Sequence, residues 1–260
     1  MSSAAMSNPE PAGRLVGRRI LVTGGGRGIG RAIALALAAE GADLGLVSRS
    51  LPDLEVAAKE VRALGRTAVV ATMDVTDPDS VEHATDQVVA ELGGIDVLVN
   101  NSGVITASRL LDTSVAEWDR VMDTNLRGTF LVCRAAGRHL VAQEHGKVIN
   151  VASHFGLMAA SGFSAYCASK AGILHFTKVL ALEWARHNVQ VNAIAPGYVA
   201  TDLNTDLRED EARTARIVSR IPARRMAEPR EIGPLAVLLA SPDSDFMTGS
   251  VLVVDGGEAT

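Results

Sequence analysis

The chain has 260 residues, 47% of them hydrophobic and 21% charged, which is typical of a globular protein with a well-filled core. Its formal net charge is −5 and it contains no block of lysine and arginine, so the charge pattern argues against a nucleic-acid partner. Its 2 cysteines are too few for a disulfide framework. No apolar run reaches the ~20 residues of a membrane-spanning helix, so we expect a cytoplasmic protein with no membrane partner.

Residues 1–16 are rich in Ser, Ala, Pro and Gly and lack the features of a signal peptide, so we predict a flexible tail. Beyond it, short apolar runs alternate with segments whose apolar residues have helical spacing. The runs are 20–22, 44–47, 68–71, 95–99, 147–151, 189–194 and 250–254. Such runs are typical of parallel strands buried on both faces. The alternation predicts a single α/β domain over 17–260, with a Rossmann-type doubly wound parallel sheet of about seven strands.

One segment departs from this alternation. Residues 198–227 are polar and charged, and they lie between the sixth predicted strand and the last helix. Ligands of open α/β sheets bind outside the carboxyl ends of the strands, which is where this insertion begins. We therefore predict that it is a substrate loop.

A glycine-rich segment connects the first strand to the first helix and reads Thr23-Gly24-Gly25-Gly26-Arg27-Gly28-Ile29-Gly30. Glycines let the backbone approach a pyrophosphate, and the helix start offers unpaired N–H groups and a positive dipole end. The spacing T-G-x-x-x-G-x-G resembles that of the short-chain dehydrogenase/reductase family, in which this loop holds the adenosine half of NAD(P). The resemblance implies contacts from Gly24, Gly26, Arg27, Gly28, Ile29 and Gly30.

The end of the second strand predicts which dinucleotide is preferred. A carboxylate there binds the ribose hydroxyls of NAD, whereas this chain has Ser48 and Arg49. Arg49 is a planar donor suited to a phosphate, and Arg27 lies where NADP-preferring members of the family often carry a basic residue. We predict that Ser48 and Arg49 line the cofactor site. We also predict that NADP(H) is preferred, with NAD(H) as a second cofactor.

Two further strand ends match the family. The resemblance implies that Asp74, followed by Val75, accepts from the adenine amine. Asn100-Asn101-Ser102-Gly103 resembles the family's Asn-Asn-Ala-Gly, with a serine in place of alanine. It implies cofactor contacts from Asn101, Ser102 and Gly103.

Tyr166 and Lys170 are four residues apart in a predicted helix and therefore share a face. A tyrosine has a pKa near ~10, and a positive charge nearby favours the phenolate and lowers that value. Ser153 ends the fifth strand, next to the start of that helix in a doubly wound sheet. His154 and Cys167 are interpreted as wall residues, since no metal-binding set or third orienting group lies near them in the sequence.

The resemblance assigns the catalytic roles. It implies that Ser153 orients a substrate carbonyl, that Tyr166 transfers the proton, and that Lys170 lowers the phenol pKa and binds the nicotinamide ribose. Asn125 matches the asparagine that holds a water in the proton relay.

The turn after the sixth strand completes the pattern. In the family this turn holds the nicotinamide carboxamide, which implies contacts from Pro196, Gly197, Val199 and Thr201. The resemblance covers residues 18–257 and implies an oxidoreductase that interconverts a small-molecule carbonyl and a secondary alcohol. Relatives are commonly homotetramers, so we expect one here.

The substrate is less clearly indicated. Residues 183–192 and 221–225 resemble gluconate 5-dehydrogenases, which favours a keto sugar acid or another small polyol. Its carboxylate needs a cation, and the candidates in the insertion are Arg208, Arg213, Arg216 and Arg220. The alternatives are reduction of a 3-oxoacyl thioester on an acyl carrier protein and, in another class, a non-catalytic NADPH sensor.

Overall fold

A computed structural model of the chain describes residues 13–201, 205 and 209–260. Seven parallel strands form one sheet in the order β3-β2-β1-β4-β5-β6-β7. The strands are β1 (Arg19–Thr23), β2 (Asp43–Ser48), β3 (Ala68–Thr72), β4 (Val97–Asn100), β5 (Gly146–Val151), β6 (Val189–Pro196) and β7 (Val251–Val254). The helices are α1 (Gly28–Ala39), α2 (Leu51–Ala63), α3 (Pro78–Leu92), α4 (Val115–Met122), α5 (Gly128–Ala142), α6 (Ser164–Trp184), α7 (Glu211–Arg220) and α8 (Gly233–Ala240). Each predicted apolar run overlaps one of these strands, so the predicted fold class is confirmed.

Helices cover both faces of the sheet, which is why the strands are apolar throughout. Successive strand residues point to opposite faces, so Ile20 and Val22 join the core under α1, α2 and α8. Leu21, between them, joins the core under α3, α5 and α6. All six residues of β5 are buried, as expected of a strand in the middle of a covered parallel sheet.

The strand order reverses at β1, which pairs with β2 on one side and with β4 on the other. The connections that leave these strands therefore depart to opposite faces. They leave a crevice at the carboxyl ends of β1 and β4, and this is where open α/β sheets bind ligands.

The ordered domain begins earlier than the sequence indicates. Leu15, assigned to the flexible tail, is fully buried, and its N–H donates to the Glu40 carbonyl at 2.8 Å. The tail boundary at residue 16 is therefore too late, because a single apolar side chain anchors the segment to the end of α1. Residues 1–12 lie outside the described part of the chain.

The predicted insertion is closed at its base by a short bridge. Val199 pairs with Ala227, and backbone bonds of 2.9 Å join Ala200 to Ala227 and Ala227 to Tyr198. Between these ends lies α7, so the insertion leaves the sheet at the carboxyl end of β6 and returns to it. No helix in the described residues is long and apolar enough to cross a membrane.

Leu98→Ala tests the two-faced core. Leu98 is fully buried in β4, so its truncation leaves a cavity and is expected to lower the free energy of unfolding by about 2–5 kcal/mol. Leu111→Ala removes the same atoms from a side chain that is 97% exposed. It should change the free energy of unfolding by less than about 0.5 kcal/mol. Urea denaturation measures both, and equal losses would contradict the assignment of Leu98 to the core.

Candidate active site

The glycine-rich loop turns tightly at the crevice. Gly24 and Gly28 have φ of +64° and +55°, a backbone region that side chains other than glycine's disfavour. A Cβ on Gly30 would clash with the Gly24 carbonyl and the Asn101 amide. The first turn of α1 follows, and its N-cap residue, Arg27, makes no side-chain capping bond. The backbone therefore forms a cradle with free N–H groups at a helix start, which fits the phosphates of a dinucleotide.

Asn101 and Ser102 join the end of β4 to this loop. Their backbone N–H groups donate to the Thr23 hydroxyl at 2.9 and 3.0 Å. The Asn101 side-chain amide donates to the Thr23 and Gly24 carbonyls at 3.1 and 3.3 Å. The Asn101 side chain thus shapes the glycine loop itself, a role that its place in the sequence motif did not indicate.

The predicted adenosine side lies at the ends of β2 and β3. Ser48 ends β2 and hydrogen-bonds within its own turn to Ser50. Asp74 accepts from the Thr76 N–H and hydroxyl at 2.9 and 2.8 Å, and these bonds hold the pKa of its carboxyl below the ordinary value, with the Arg49 charge contributing. Arg49 therefore lies within electrostatic reach of Asp74. Val75 is buried beside Gly128 at the start of α5.

The predicted nicotinamide turn faces the glycine loop. Pro196 ends β6, and the Gly197 N–H donates to the Val254 carbonyl at 2.9 Å. Val199 is buried, and Thr201 lies opposite Gly28, near enough that a Cβ on that glycine would be 3.7 Å from it. The structure thus brings the two ends of the predicted cofactor site to one crevice.

Ser153, Tyr166 and Lys170 meet beside that crevice. Ser153 follows β5 and lies near enough to the Tyr166 phenol to act on its pKa, while the first turns of α6 carry Tyr166 and Lys170. The Lys170 Nζ lies 5.7 Å from the centre of the tyrosine ring and donates to the Val151 carbonyl at 2.9 Å. Ser153 and Lys170 are 5% and 4% exposed, so both are shielded from water, and Tyr166 is half-buried at the edge of the cleft.

Burial dominates the electrostatics of this cluster. Desolvation raises the pKa of Tyr166 to about 12, although the Ser153 hydrogen bond acts to lower it. Desolvation also lowers the pKa of Lys170 to about 8. The predicted lowering of the phenol pKa is therefore wrong for this structure, because burial penalises the phenolate more than the surrounding groups stabilise it. A phenol in this state holds its proton at neutral pH.

Asn125 is fully buried in a π-helical turn, Asp123–Arg127, between α4 and α5. Its side-chain oxygen accepts from the Val104 N–H at 2.8 Å, and its amide donates to the Val104 carbonyl and the Ser169 hydroxyl at 2.9 and 3.0 Å. Both amide hydrogens are therefore used within the protein. The side chain fastens the loop after β4 to the helix that carries Tyr166.

Gly103 completes this region, since a Cβ there would approach the Asn125 oxygen at 3.3 Å and the Lys170 Nζ at 3.6 Å. The cleft also has an aromatic wall. The Phe155 ring lies 6.4 Å from that of Tyr166, 5.8 Å from that of Tyr198 and 5.4 Å from that of Phe163, centre to centre.

Three of the four candidate cations are in the described residues. Arg213, Arg216 and Arg220 are exposed on α7, and Arg208 lies outside the described part of the chain. The charges of Arg220 and Arg213 act on the Tyr198 phenol and oppose a rise in its pKa that is caused mainly by burial and then by Glu258. Two of the predicted arginines therefore lie within electrostatic reach of the aromatic wall.

One residue of the site had no signal in the sequence. The Glu258 carboxylate lies 3.3 Å from the Nε2 of His154, directly beside Ser153. His154 is a buried wall residue, as interpreted, but it has a partner that the sequence did not indicate. The two residues are far apart in the chain, so no local motif could have paired them.

Comparison with known proteins gives consistent matches along the chain. Residues 24–258 match the family described as enoyl-(acyl carrier protein) reductase. The chain is 42% identical to the 2-dehydro-3-deoxy-D-gluconate 5-dehydrogenase of Escherichia coli K12, over 94% of this chain and 96% of that protein.

Two solved structures share the fold. A short-chain type dehydrogenase/reductase from Mycobacterium marinum is 40% identical, with a TM-score of 0.90 over 95% of this chain and 97% of that one. A gluconate 5-dehydrogenase from Burkholderia cenocepacia J2315, in complex with NADP and tartrate, is 38% identical, with a TM-score of 0.91 over the same shares.

Proposed function

The chain belongs to the short-chain dehydrogenase/reductase family of oxidoreductases, and we propose that it interconverts the carbonyl and secondary alcohol of a keto sugar acid, using NADP(H). The observation that carries this proposal is the cluster of buried Ser153 and Lys170 with half-buried Tyr166 beside the glycine cradle. It combines a proton donor, a hydrogen-bond donor and a buried cation at the edge of a dinucleotide site. That combination suits hydride transfer to a carbonyl.

In the direction of reduction, a dinucleotide held by the glycine cradle would supply the hydride for the carbonyl carbon. The protein supplies the rest. The Ser153 hydroxyl donates to the carbonyl oxygen and orients it, and Tyr166 gives that oxygen its proton as negative charge develops. A phenol that keeps its proton at neutral pH is ready for this step. The Lys170 ammonium stabilises the phenolate that remains, because a positive charge in a buried cleft is weakly screened.

The residues of the cradle support NADP(H) as the preferred dinucleotide. No carboxylate ends β2, and Arg27 and Arg49 are exposed and make no ion pair with any residue that the structure describes. Two unpaired guanidiniums at this edge suit a 2′-phosphate. The gluconate 5-dehydrogenase that shares the fold was solved with NADP.

The choice of a keto sugar acid is supported by the relatives and by α7. The Escherichia coli relative is named for a sugar-acid substrate, and the Burkholderia cenocepacia structure holds tartrate, a small hydroxy acid. Arg213 and Arg220 bring positive charge to the side of the cleft formed by Tyr198. That placement suits a carboxylate at the far end of a short polar substrate.

We also propose a homotetramer. An apolar groove of about 500 Å³ lies between the π-helical turn, α5 and α6, and is lined by Met122, Asp123, Leu126, Arg127, Phe130, Gly172 and Phe176. Phe130 is 45% exposed there, and its ring lies 6.5 Å from that of Phe176. An exposed apolar surface on the helices that carry Asn125 and Tyr166 supports pairing through this face. Light scattering on the purified protein measures the mass of the assembly.

The first experiment follows NADPH absorbance with 5-ketogluconate, 2-dehydro-3-deoxygluconate analogues and an acetoacetyl thioester. We expect turnover of a keto sugar acid and a loss of at least ~10²-fold in Tyr166→Phe, because the variant cannot donate the proton. Retained NADPH binding and an unchanged melting temperature in the variant show that only chemistry is lost. Turnover of the thioester alone would contradict a keto sugar acid as substrate and favour reduction of a 3-oxoacyl thioester on an acyl carrier protein. NADPH binding without turnover of any carbonyl would favour the sensor.

Arg49→Ala tests the cofactor preference. Loss of one charged hydrogen bond to a phosphate is expected to raise the KM for NADPH about tenfold and to leave the KM for NADH within about twofold. Arg62→Ala is the matched control, since Arg62 pairs with Glu55 on the same strand–helix unit, away from the cradle. Equal changes in the KM values for NADPH and NADH would show that Arg49 does not bind the 2′-phosphate.

The pH dependence of reduction tests the buried cation. The pKa of Lys170 is lowered to about 8, so its ammonium is present below that pH and is lost above it. The pKa of Tyr166 is raised to about 12, so the phenol stays protonated across the same range. We expect kcat/KM for reduction, which reports the groups of the free enzyme, to be level below pH 8 and to fall above it, approaching about tenfold per pH unit. Lys170→Met removes the ammonium at every pH, so its residual activity should lack this inflection; a level wild-type profile to pH 10 would contradict the assignment.

A further inference from the structure

His154 joins two segments of the active site. The residue directly follows Ser153 and is 2% exposed. Its Nδ1 lies 3.0 Å from the carbonyl oxygen of Pro196, at the end of β6. Its Nε2 lies 3.3 Å from Glu258, three residues beyond the Asp255 turn that follows β7. The side chains of this pair are 3% and 7% exposed, so both are held out of water.

The partners of the ring determine where its protons lie. A carbonyl oxygen can only accept, so the Nδ1 of His154 must carry a proton and donate it to Pro196. The Nε2 then faces a carboxyl group. The two atoms are 3.3 Å apart, so a proton on the ring would make the contact an ion pair and a proton on the carboxyl would let it donate to the nitrogen. In both forms Glu258 fixes the second edge of the ring.

The surroundings make this contact a strong constraint. The His154 ring packs 4.3 Å from the Phe155 ring and 5.6 Å from the Tyr198 ring, centre to centre. Burial raises the pKa of the Glu258 carboxyl; His154 opposes the rise, Asp255 adds to it, and Arg220 opposes it. Neither atom of the contact has a hydrogen bond of good geometry in the described residues, so each relies on the charge or the proton of the other. Removing either partner therefore leaves a buried polar group unpaired.

The pair does not activate Ser153 as a nucleophile. The Ser153 hydroxyl lies 3.4 Å from the Nδ1 of His154, but that nitrogen already holds a proton and cannot take another. The Phe155 N–H also donates to the Ser153 oxygen, at 3.1 Å. Because the Phe155 N–H donates to the serine oxygen and Nδ1 cannot accept, neither neighbour takes the serine's own proton. It remains available for a substrate carbonyl or for Tyr166.

The carboxyl terminus is itself arranged to present Glu258. The two oxygens of Asp255 accept from the Gly257 and Ala259 N–H groups at 2.8 and 2.7 Å, which closes a tight turn around Glu258. The turn leaves β7 beside β6. The pair thus connects the ends of β5, β6 and β7 at the cleft.

We propose that Glu258 and His154 are positioning residues that hold the Ser153 hydroxyl and the Pro196 turn at a fixed distance and orientation for the reaction. The inference rests on the proposed function, since it concerns the geometry of that same site. Glu258 sets the orientation of the imidazole ring, and the ring sets the distance between the serine and the carbonyl of Pro196. Loss of the pair therefore loosens the two groups relative to each other and leaves the proton donor Tyr166 in place.

The test compares Glu258→Leu, Glu258→Gln and His154→Phe with the double variant Glu258→Leu/His154→Phe. Glu258→Leu should lower kcat about 10–100-fold, because misplacement of an orienting group by about 1 Å has an effect of this size, while the KM for NADPH changes less than about threefold. Glu258→Gln should recover most of the activity, since its amide N–H can donate to Nε2 of a neutral ring. The double variant should be no slower than the slower single variant, because the two residues act as one unit. Glu91→Leu, on the exposed face of α3, is the surface control.

Two results would overturn the proposal. The first is a kcat of Glu258→Leu within about twofold of the wild type. The second is a double variant whose loss of kcat equals the product of the two single losses, together with no recovery of kcat in Glu258→Gln. Hydrogen–deuterium exchange provides a readout that needs no substrate. Exchange should rise in Glu258→Leu at 153–157 and at 196–200, and a rise confined to 255–260 would show that the pair holds only the terminus. Failure of the wild-type enzyme to reduce any carbonyl would count against the proposed function, whereas the exchange pattern still decides the role of the pair.

Discussion

Burial of both faces of the parallel sheet is the constraint on which the site depends. Apolar strands covered by helices on each side can present polar groups only at their ends, where the backbone leaves the core. All seven strands run in the same direction, so their carboxyl ends meet at one edge. The reversal of strand order at β1 then opens a crevice at that edge. Thr23, Asn101, Ser153 and Pro196 all lie there because each ends a strand or follows its end within two residues.

The same burial sets the chemistry of the site. A phenol and an ammonium brought into a cleft with little water both shift toward their neutral forms, so the pKa of Tyr166 rises and the pKa of Lys170 falls. The result is a protonated donor beside a cation that is only moderately stable. Weak screening makes the remaining charge more effective on a developing phenolate than it would be in water. The phenolate and the ammonium would both be better solvated at the surface, so holding these groups in the cleft lowers the stability of their charged forms.

Hydrogen bonds between strand ends give the crevice its shape. Asn101 ties β4 to the glycine loop, Asn125 ties the loop after β4 to α6, and His154 ties the end of β5 to that of β6. Each of these side chains is buried or half-buried and bonds backbone groups of another segment. A small movement of one strand end therefore displaces the side chains at the cleft, such as Ser153 and Tyr166.

The sequence by itself determined the seven strands, the glycine-rich turn and the Tyr166–Lys170 pair. These depend on local rules: apolar runs of strand length, glycine at positions of positive φ, and a four-residue spacing on one helix face. It placed the end of the tail too late, since one buried leucine outweighed a polar composition. It also predicted a lowered phenol pKa, because the charge of Lys170 is visible in a motif while the desolvation of Tyr166 is not.

Only the tertiary structure decided the partners that come from distant segments. Glu258 reaches His154 because β7 lies beside β6 and the Asp255 turn directs the terminus back over the cleft. Nothing in either local sequence specifies that contact. Local sequence determines which residues can form a strand end or a helix start. Which of those ends become neighbours is set by the order of the strands, and that order arises from the packing of the whole sheet.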